Sequence, residues 1–228
     1  MERLSLYWNL LNNYCLSIRY DGAKFFGFQS QPKTRTVQDE VYAILKKIFG
    51  KLNKHSFSGR TDSGVHAEDQ HVHFSSDKKV DIDKVKYSIS KMLPEDIRIN
   101  YFEIVNGYTD ARRTAKSREY KFLFSDSLIP GYLSPRICKI NYCSSIDNYN
   151  RIAKVFIGTH DFRPFRKTGS TENSTIRTIK SFRFKLKSIV DIYDDSISYN
   201  YIEAHILADS YLYRMIRNLM GSIFEVVS

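Results

Sequence analysis

Apolar residues along this chain first alternate and then recur at helical spacing. Tyr14, Leu16, Ile18 and Tyr20 alternate with Cys15, Ser17 and Arg19, the two-residue period of a half-buried strand, and Asp21-Gly22 ends it. Thr36 with Asp39 forms a capping box. Behind it, Val37, Val41, Ile44, Leu45 and Ile48 make the apolar stripe of a helix that Gly50 stops. Strands are predicted at 55–58 and 71–74. A second helix carries Ile82, Val85, Ile89 and Met92 on one face and ends before Pro94. Ile97, Ile99 and Tyr101 then read as a strand.

A second half opens after residue 106. Tyr120, Phe122 and Phe124 alternate as a strand, and a helix near 149–156 ends at Gly158. Strands follow at 178–186 and 198–207, separated by a charged stretch at 191–195. The last helix is expected from about Ser210, with Leu212, Met215, Ile216, Leu219, Ile223 and Val226 inward. Strand-rich halves with helices on one side predict an α+β fold of antiparallel sheets, divided into residues 1–106 and 107–228. Before Tyr14, Leu4, Leu6 and Trp8 alternate and are expected to pack.

Composition adds a partner class. There are 35 Lys plus Arg against 25 Asp plus Glu, a net charge of +10, which favours a polyanion through counterion release. The 16 Tyr and 15 Phe interleave with basic residues; they fill a core or stack on unpaired bases. Lys33/Arg35, Arg112-Arg113-Lys116-Arg118-Lys121 and Arg163-Arg166-Lys167 are the basic clusters. Cys15, Cys138 and Cys143 form no C-x-x-C pair, as expected of a reduced cytoplasmic protein. No apolar run reaches membrane-spanning length and no signal-peptide pattern is present.

One segment carries candidate chemistry: Ser58-Gly59-Arg60-Thr61-Asp62-Ser63-Gly64-Val65-His66-Ala67. Asp62 stands between two glycines and beside an arginine, in a turn flanked by apolar segments. Read from the residues alone, this is either a polar β-turn or a loop presenting a carboxylate at close range to a ligand. Such a carboxylate attacks carbon or stabilises a developing cation, and Arg60 would keep it ionised or hold a phosphate.

The loop from Gly59 to Ala67, followed by Gln70-His71-Val72-His73-Phe74, resembles the signature of TruA-type tRNA pseudouridine synthases. Further segments match in order. Tyr20-Asp21-Gly22 with Phe26-Gly27-Phe28-Gln29 is similar to the family's Y-D-G…G-W-Q, and Val37-Gln38-Asp39-Glu40 to its V-Q-x-x. Ala111-Arg112 with Arg118-Glu119-Tyr120-Lys121-Phe122 is similar to A-R…R-x-Y-x-Y. Gly158-Thr159-His160-Asp161-Phe162-Arg163-Pro164-Phe165 is similar to G-x-H-D-F-x-x-F, and Met215-Ile216-Arg217-Asn218 to M-[VI]-R-N. The resemblance implies two RRM-like (ferredoxin-like) halves whose antiparallel sheets join around a basic cleft. It also implies isomerisation of uridine to pseudouridine in the tRNA anticodon stem-loop, at positions 38, 39 and 40, by a homodimer, with no cofactor.

Site roles follow from the same resemblance. Asp62 matches the catalytic carboxylate, Arg217 the arginine paired with it, and Tyr120 the tyrosine that stacks on the target base. Arg60 matches the arginine that helps extract the nucleotide, and Arg112 is expected on phosphate or supporting the pocket. His66, His71 and His73, with Asp62 or Asp69, invite a metal reading, but H-x4-H-x-H is not a recognised zinc spacing, and no metal is expected. Three positions depart from the family pattern. Phe28 replaces tryptophan, Asp69 replaces the glycine before Gln70 and is expected to alter the turn there, and the sequence ends at Ser228, where the family continues with a closing segment. Two other classes fit parts of the pattern: a catalytically silent tRNA-binding relative, and a carboxylate-based nucleosidase or glycosidase.

Overall fold

The first alternating run forms a central strand. In the computed structural model, which describes residues 11–132, 135–170 and 173–227, β1 (Asn12–Tyr20) has a neighbour on each side. β3 (Ala67–Ser76) and β4 (Ile97–Val105) flank it antiparallel, and β2 (Lys54–Phe57) adds to β3. The order is β2-β3-β1-β4. With α1 (Val37–Phe49) after β1 and α2 (Ile82–Met92) before β4, this is a split βαβ of ferredoxin-like topology. A single turn, α3 (Ala111–Thr114), follows β4. The alternation at Leu4, Leu6 and Trp8 lies outside the described residues.

The helices and one sheet face enclose a core of Tyr14, Leu16, Ile18, Val41, Leu45, Phe49, Val72, Phe74 and Phe102. Tyr14 touches the rings of Phe49, Phe74 and Phe102 at 5.0–5.5 Å between centroids, and its hydroxyl donates to the Lys78 carbonyl. The ring is therefore buried without an orphaned polar atom. The capping box is present: Thr36 accepts from the Asp39 amide, and its hydroxyl donates to the Asp39 carboxylate at 2.6 Å.

Three details depart from the expected pattern. β1 is covered on both faces, because Cys15 and Ser17 are 3% and 0% exposed; polar neighbours rather than water fill the second side. Met92 is exposed, and Leu93, extended just past the helix end, turns inward in its place. In β4 the register slips by one, pairing Ser17 with Tyr101 but Ile18 with Ile99. Asn100 is thus an extra, bulged residue. Ile97 and Ile99 face the core before it and Phe102 after it, while Tyr101 goes to the other face.

The chain divides into two units, Met1–Ala115 and Lys116–Ser228. In the second, β5 (Arg118–Ser125), β9 (Ser198–Ala208) and β8 (Ile176–Val190) are antiparallel, and β7 (Gly158–Asp161) extends β8. Two residues, β6 (Cys138–Lys139), lie parallel to β5, so this sheet is mixed rather than purely antiparallel, with order β6-β5-β9-β8-β7. α4 (Ile146–Val155) and α5 (Met215–Val227) supply Tyr149, Ala153, Leu219, Met220 and Ile223 to its core against Phe124, Phe184 and Ile206. The Asn150 side chain of α4 both donates to the Phe184 carbonyl and accepts from its amide, satisfying backbone that a further strand would otherwise pair. Gly158, at φ +111°, opens β7 rather than ending the helix. α5 begins at Met215, later than expected, because Arg214 adopts φ +63°. Val226 is exposed. No helix among the described residues is long and apolar enough to cross a membrane.

Candidate active site

The loop that carries Asp62 runs from the end of β2 to the start of β3, and it leans on the segment after β1. Phe28 donates its amide to the Thr61 carbonyl at 3.0 Å, and the Gly64 amide donates to Phe25. The Tyr20 hydroxyl meets Thr61 Oγ1 at 2.9 Å, and the Ser63 hydroxyl donates to the Phe25 carbonyl. Two glycines make this approach possible. A Cβ on Gly22 would lie 2.0 Å from the Val65 carbonyl oxygen, and one on Gly27, itself at φ +96°, would lie 2.9 Å from that of Thr61. The Gly22 amide donates to His66 Nδ1, which also stands 3.0 Å from Asp21. At the loop's far end, Gln70, 6% exposed, donates to the Gly59 carbonyl.

Asp62 occupies the first corner of a turn in which its carbonyl accepts from the Val65 amide. Gly64 supplies the positive φ of +78° that the third position of a type II turn requires. Asp62 is half-buried, and within its own unit no described residue hydrogen-bonds or pairs with its carboxylate. Arg60 is exposed and makes no ion pair with Asp62. Arg112 is exposed on α3, whose Ala111 amide donates to Ser56 Oγ in β2. That element is therefore tied to the strand feeding the Asp62 loop. Asp69 does not sit in an altered turn: it is already within β3, accepting from the Ser17 hydroxyl and meeting His71 Nε2.

The basic residues separate into two kinds. Arg35 forks onto Asp96 at 2.7 and 3.1 Å, meets Glu40 at 2.7 Å and stacks over Phe25. Arg118 donates to the Asp209 carbonyl, and Arg163 pairs with Asp161. Arg35 and Arg118 are tied into the fold by these bonds, whereas Arg60, Arg112, Arg113 and Arg163 are exposed residues.

In the second unit Tyr120 lies on β5 opposite Ile206, half-buried. The Tyr211 ring meets it edge-on, 5.0 Å between centroids at 83°. Tyr211 hangs from the sheet by its hydroxyl, which donates to the carbonyls of Ile206 and Arg118. Burial, with Tyr120 beside it, pushes the Tyr211 phenol far above its usual range. Arg217 is exposed on the first turn of α5. Its neighbour Asn218 donates to the Phe165 carbonyl at 2.9 Å, so the M-I-R-N helix is docked on the H-D-F-x-x-F turn. The site residues thus divide by unit: Arg60, Asp62 and Arg112 in the first, Tyr120 and Arg217 in the second.

A family model described as tRNA pseudouridine synthase matches residues 16–109 and 152–228. The chain belongs to that family. Among curated pseudouridine synthases it is 32% identical over 217 residues to tRNA pseudouridine synthase A of Acetivibrio thermocellus, covering 95% of this chain and 84% of that one. It is 33% identical, with the same coverage, to tRNA pseudouridine synthase A of Caldicellulosiruptor saccharolyticus. It is 32% identical over 225 residues to tRNA pseudouridine synthase A 1 of Desulfotalea psychrophila, covering 95% and 85%. The family's members catalyse an isomerisation, and this chain is an isomerase of that pseudouridine synthase class.

The supporting residues were only partly visible beforehand. Gly22, Gly27 and Tyr20 lay in recognised pseudouridine synthase motifs, but their purpose is spatial: they let one motif's backbone rest on the other's. A helix from about Ser210 would put Tyr211 in its first turn, but Tyr211 precedes the helix. Its hydrogen bonds depend on the irregular 209–214 segment, for which Arg214 at positive φ gives no sequence signal.

Proposed function

We propose that this chain isomerises uridine to pseudouridine in the anticodon stem-loop of tRNA, at positions 38, 39 and 40, with Asp62 as the catalytic carboxylate. The reading is supported most by one observation. A half-buried aspartate, without a partner among the described residues of its own unit, sits on a turn whose place is set by backbone contacts with Gly22 and Gly27. A structural aspartate would be expected to cap or pair, as Asp39 and Asp96 do.

The reaction breaks the N1–C1′ bond, rotates the uracil and joins C5 to C1′. The C5 proton is lost and N1 gains one, so nothing is oxidised and no proton is consumed overall. Asp62 either attacks carbon or balances the cation developing at C1′. Arg217 keeps that carboxylate charged, and Tyr120, steadied by Tyr211, stacks on the base. Arg60 takes the place of the extruded nucleotide, whose removal from the stack costs on the order of a few kcal/mol. Arg112 holds phosphate. The protein acts in the cytoplasm as a homodimer, each tRNA spanning both subunits.

Carbodiimide adducts mapped by primer extension on an unmodified tRNA transcript test this directly. New stops confined to positions 38–40, absent with Asp62→Ala while that variant still binds tRNA, are expected. Stops elsewhere would overturn the site assignment. Binding without stops in the unaltered chain would make it a silent tRNA-binding relative.

A further inference from the structure

The polar face of the first sheet carries a cluster that the isomerisation does not use. Cys15 on β1 stands directly across from His73 on β3, and Ser17 across from His71. All three of Cys15, His71 and His73 therefore project from one side of the sheet, opposite the face of Tyr14, Leu16, Val72 and Phe74. One donor atom from each lies within 4.8 Å of the other two, and Cys15 Sγ is 3.9 Å from His71 Nδ1.

Both imidazoles are held from behind. His71 Nε2 stands 3.2 Å from Asp69 Oδ2, and Asp69 is itself anchored by the Ser17 hydroxyl. His73 Nδ1 stands 2.9 Å from the Thr109 carbonyl and 2.8 Å from its hydroxyl. A carboxylate and a main-chain carbonyl are both acceptors, so each takes the ring's N–H. His71 Nδ1 and His73 Nε2 are left with lone pairs, as in imidazoles that ligate metals. Tyr101, placed on this face by the Asn100 bulge, reaches His71 Nδ1 at 3.2 Å and Cys15 Sγ at 3.9 Å.

We propose that Cys15, His71 and His73 bind one Zn²⁺ ion, with the fourth position on the Tyr101 side. One thiolate and two imidazoles suit zinc and not magnesium or calcium. Tetrahedral zinc separates a sulfur and a nitrogen ligand by about 3.5 Å, close to the 3.9 Å found here, and rotation of the imidazoles closes the wider gaps. On binding, the cation displaces the Cys15 thiol proton to solvent. The ion ties β1 to β3, the strand into which the Asp62 loop runs. Spacing alone hides the site: only strand pairing brings Cys15 to the histidines, His71 being 56 positions further along the chain.

The test is titration of the chelator-treated full chain with Co²⁺, followed by absorption, and with Zn²⁺, followed by calorimetry. One ion per chain and a thiolate-to-cobalt charge-transfer band are expected. The band should vanish in Cys15→Ala and survive in a Cys138→Ser, Cys143→Ser double variant. His71→Ala and His73→Ala should weaken zinc more than Asp69→Asn, which should loosen it about 10–100-fold. X-ray absorption of the zinc-loaded unaltered chain needs no variant and should show one sulfur at about 2.3 Å with nitrogens at about 2.0–2.1 Å. Absence of the band, a band that follows Cys138 or Cys143, or an oxygen-only shell overturns the proposal.

Discussion

Gly22 lies so close to Val65 that a methyl carbon on it would come within 2.0 Å of the Val65 carbonyl oxygen. Backbone meets backbone there, and no side-chain rotation can relieve a clash. Gly22→Ala is therefore expected to displace the Asp62 turn and destabilise the first unit by about 1–3 kcal/mol. Pseudouridine formation should fall by roughly 10²-fold, the cost of an ångström-scale misplacement. Melting curves and turnover on the same transcript check both; unchanged turnover would mean the loop is not positioned by this contact.

Tyr211 allows ring and hydroxyl to be separated. Tyr211→Phe keeps the edge-on contact with Tyr120 and loses the hydrogen bonds to Ile206 and Arg118, costing about 0.5–1.5 kcal/mol with turnover little changed. Tyr211→Ala removes the ring as well, and should lower kcat beyond what its loss of stability explains. Equal kcat for the two variants would remove Tyr211 from any role in placing Tyr120.

Much of this organisation was legible in the residues, for reasons that differ by element. α1 announced itself because its cap, stripe and stop are all local to 36–50. Alternation marked β1, β4 and β5 because one face of each is apolar and the other polar, whether or not water reaches the polar side, whereas β6 and β7, two and four residues long, are too short to show a period. What failed depends on distant chain. The Asn100 bulge reflects a register across β1, the late start of α5 reflects Tyr211 reaching back to β5 and β9, and the Cys15 cluster reflects strand pairing. Asp62 itself stood out by its motif, yet the turn's dependence on Gly22 and Gly27 is a tertiary fact.

Salt should separate the two kinds of arginine. The affinity for tRNA is expected to fall linearly on logarithmic axes as salt rises, by about 0.7–0.9 per phosphate contacted. Arg60→Ala should reduce that slope by about one contact. Arg35→Ala should leave the slope alone and lower the melting temperature, since Arg35 is engaged by Asp96 and Glu40. A flat salt response would remove the phosphate-binding role.

Asp191 makes a pH prediction in the second unit. The hydroxyl of Tyr132, the amide of Tyr193 and the hydroxyl of Tyr199 all donate to its carboxylate and hold its pKa below the usual range. A carboxylate depressed by folding contributes stability above its unfolded pKa of about 3.9, and that contribution is lost as pH falls through the folded value. Asp191→Asn should therefore melt below the unaltered chain at neutral pH, with the two curves converging in acid. A gap that persists at low pH would mean the charge contributes nothing.

The bulge at Asn100 also gives β4 a change of parity. Odd-numbered residues face inward before it and even-numbered ones after it, so a single strand serves an apolar core at one end and presents Tyr101 to the polar face at the other. Substitutions along β4 alter one side chain at a time. Loss or gain of one residue near position 100 would instead exchange the inward and outward sets of everything beyond it. Length, more than side-chain identity, is the property of this strand that the fold holds constant.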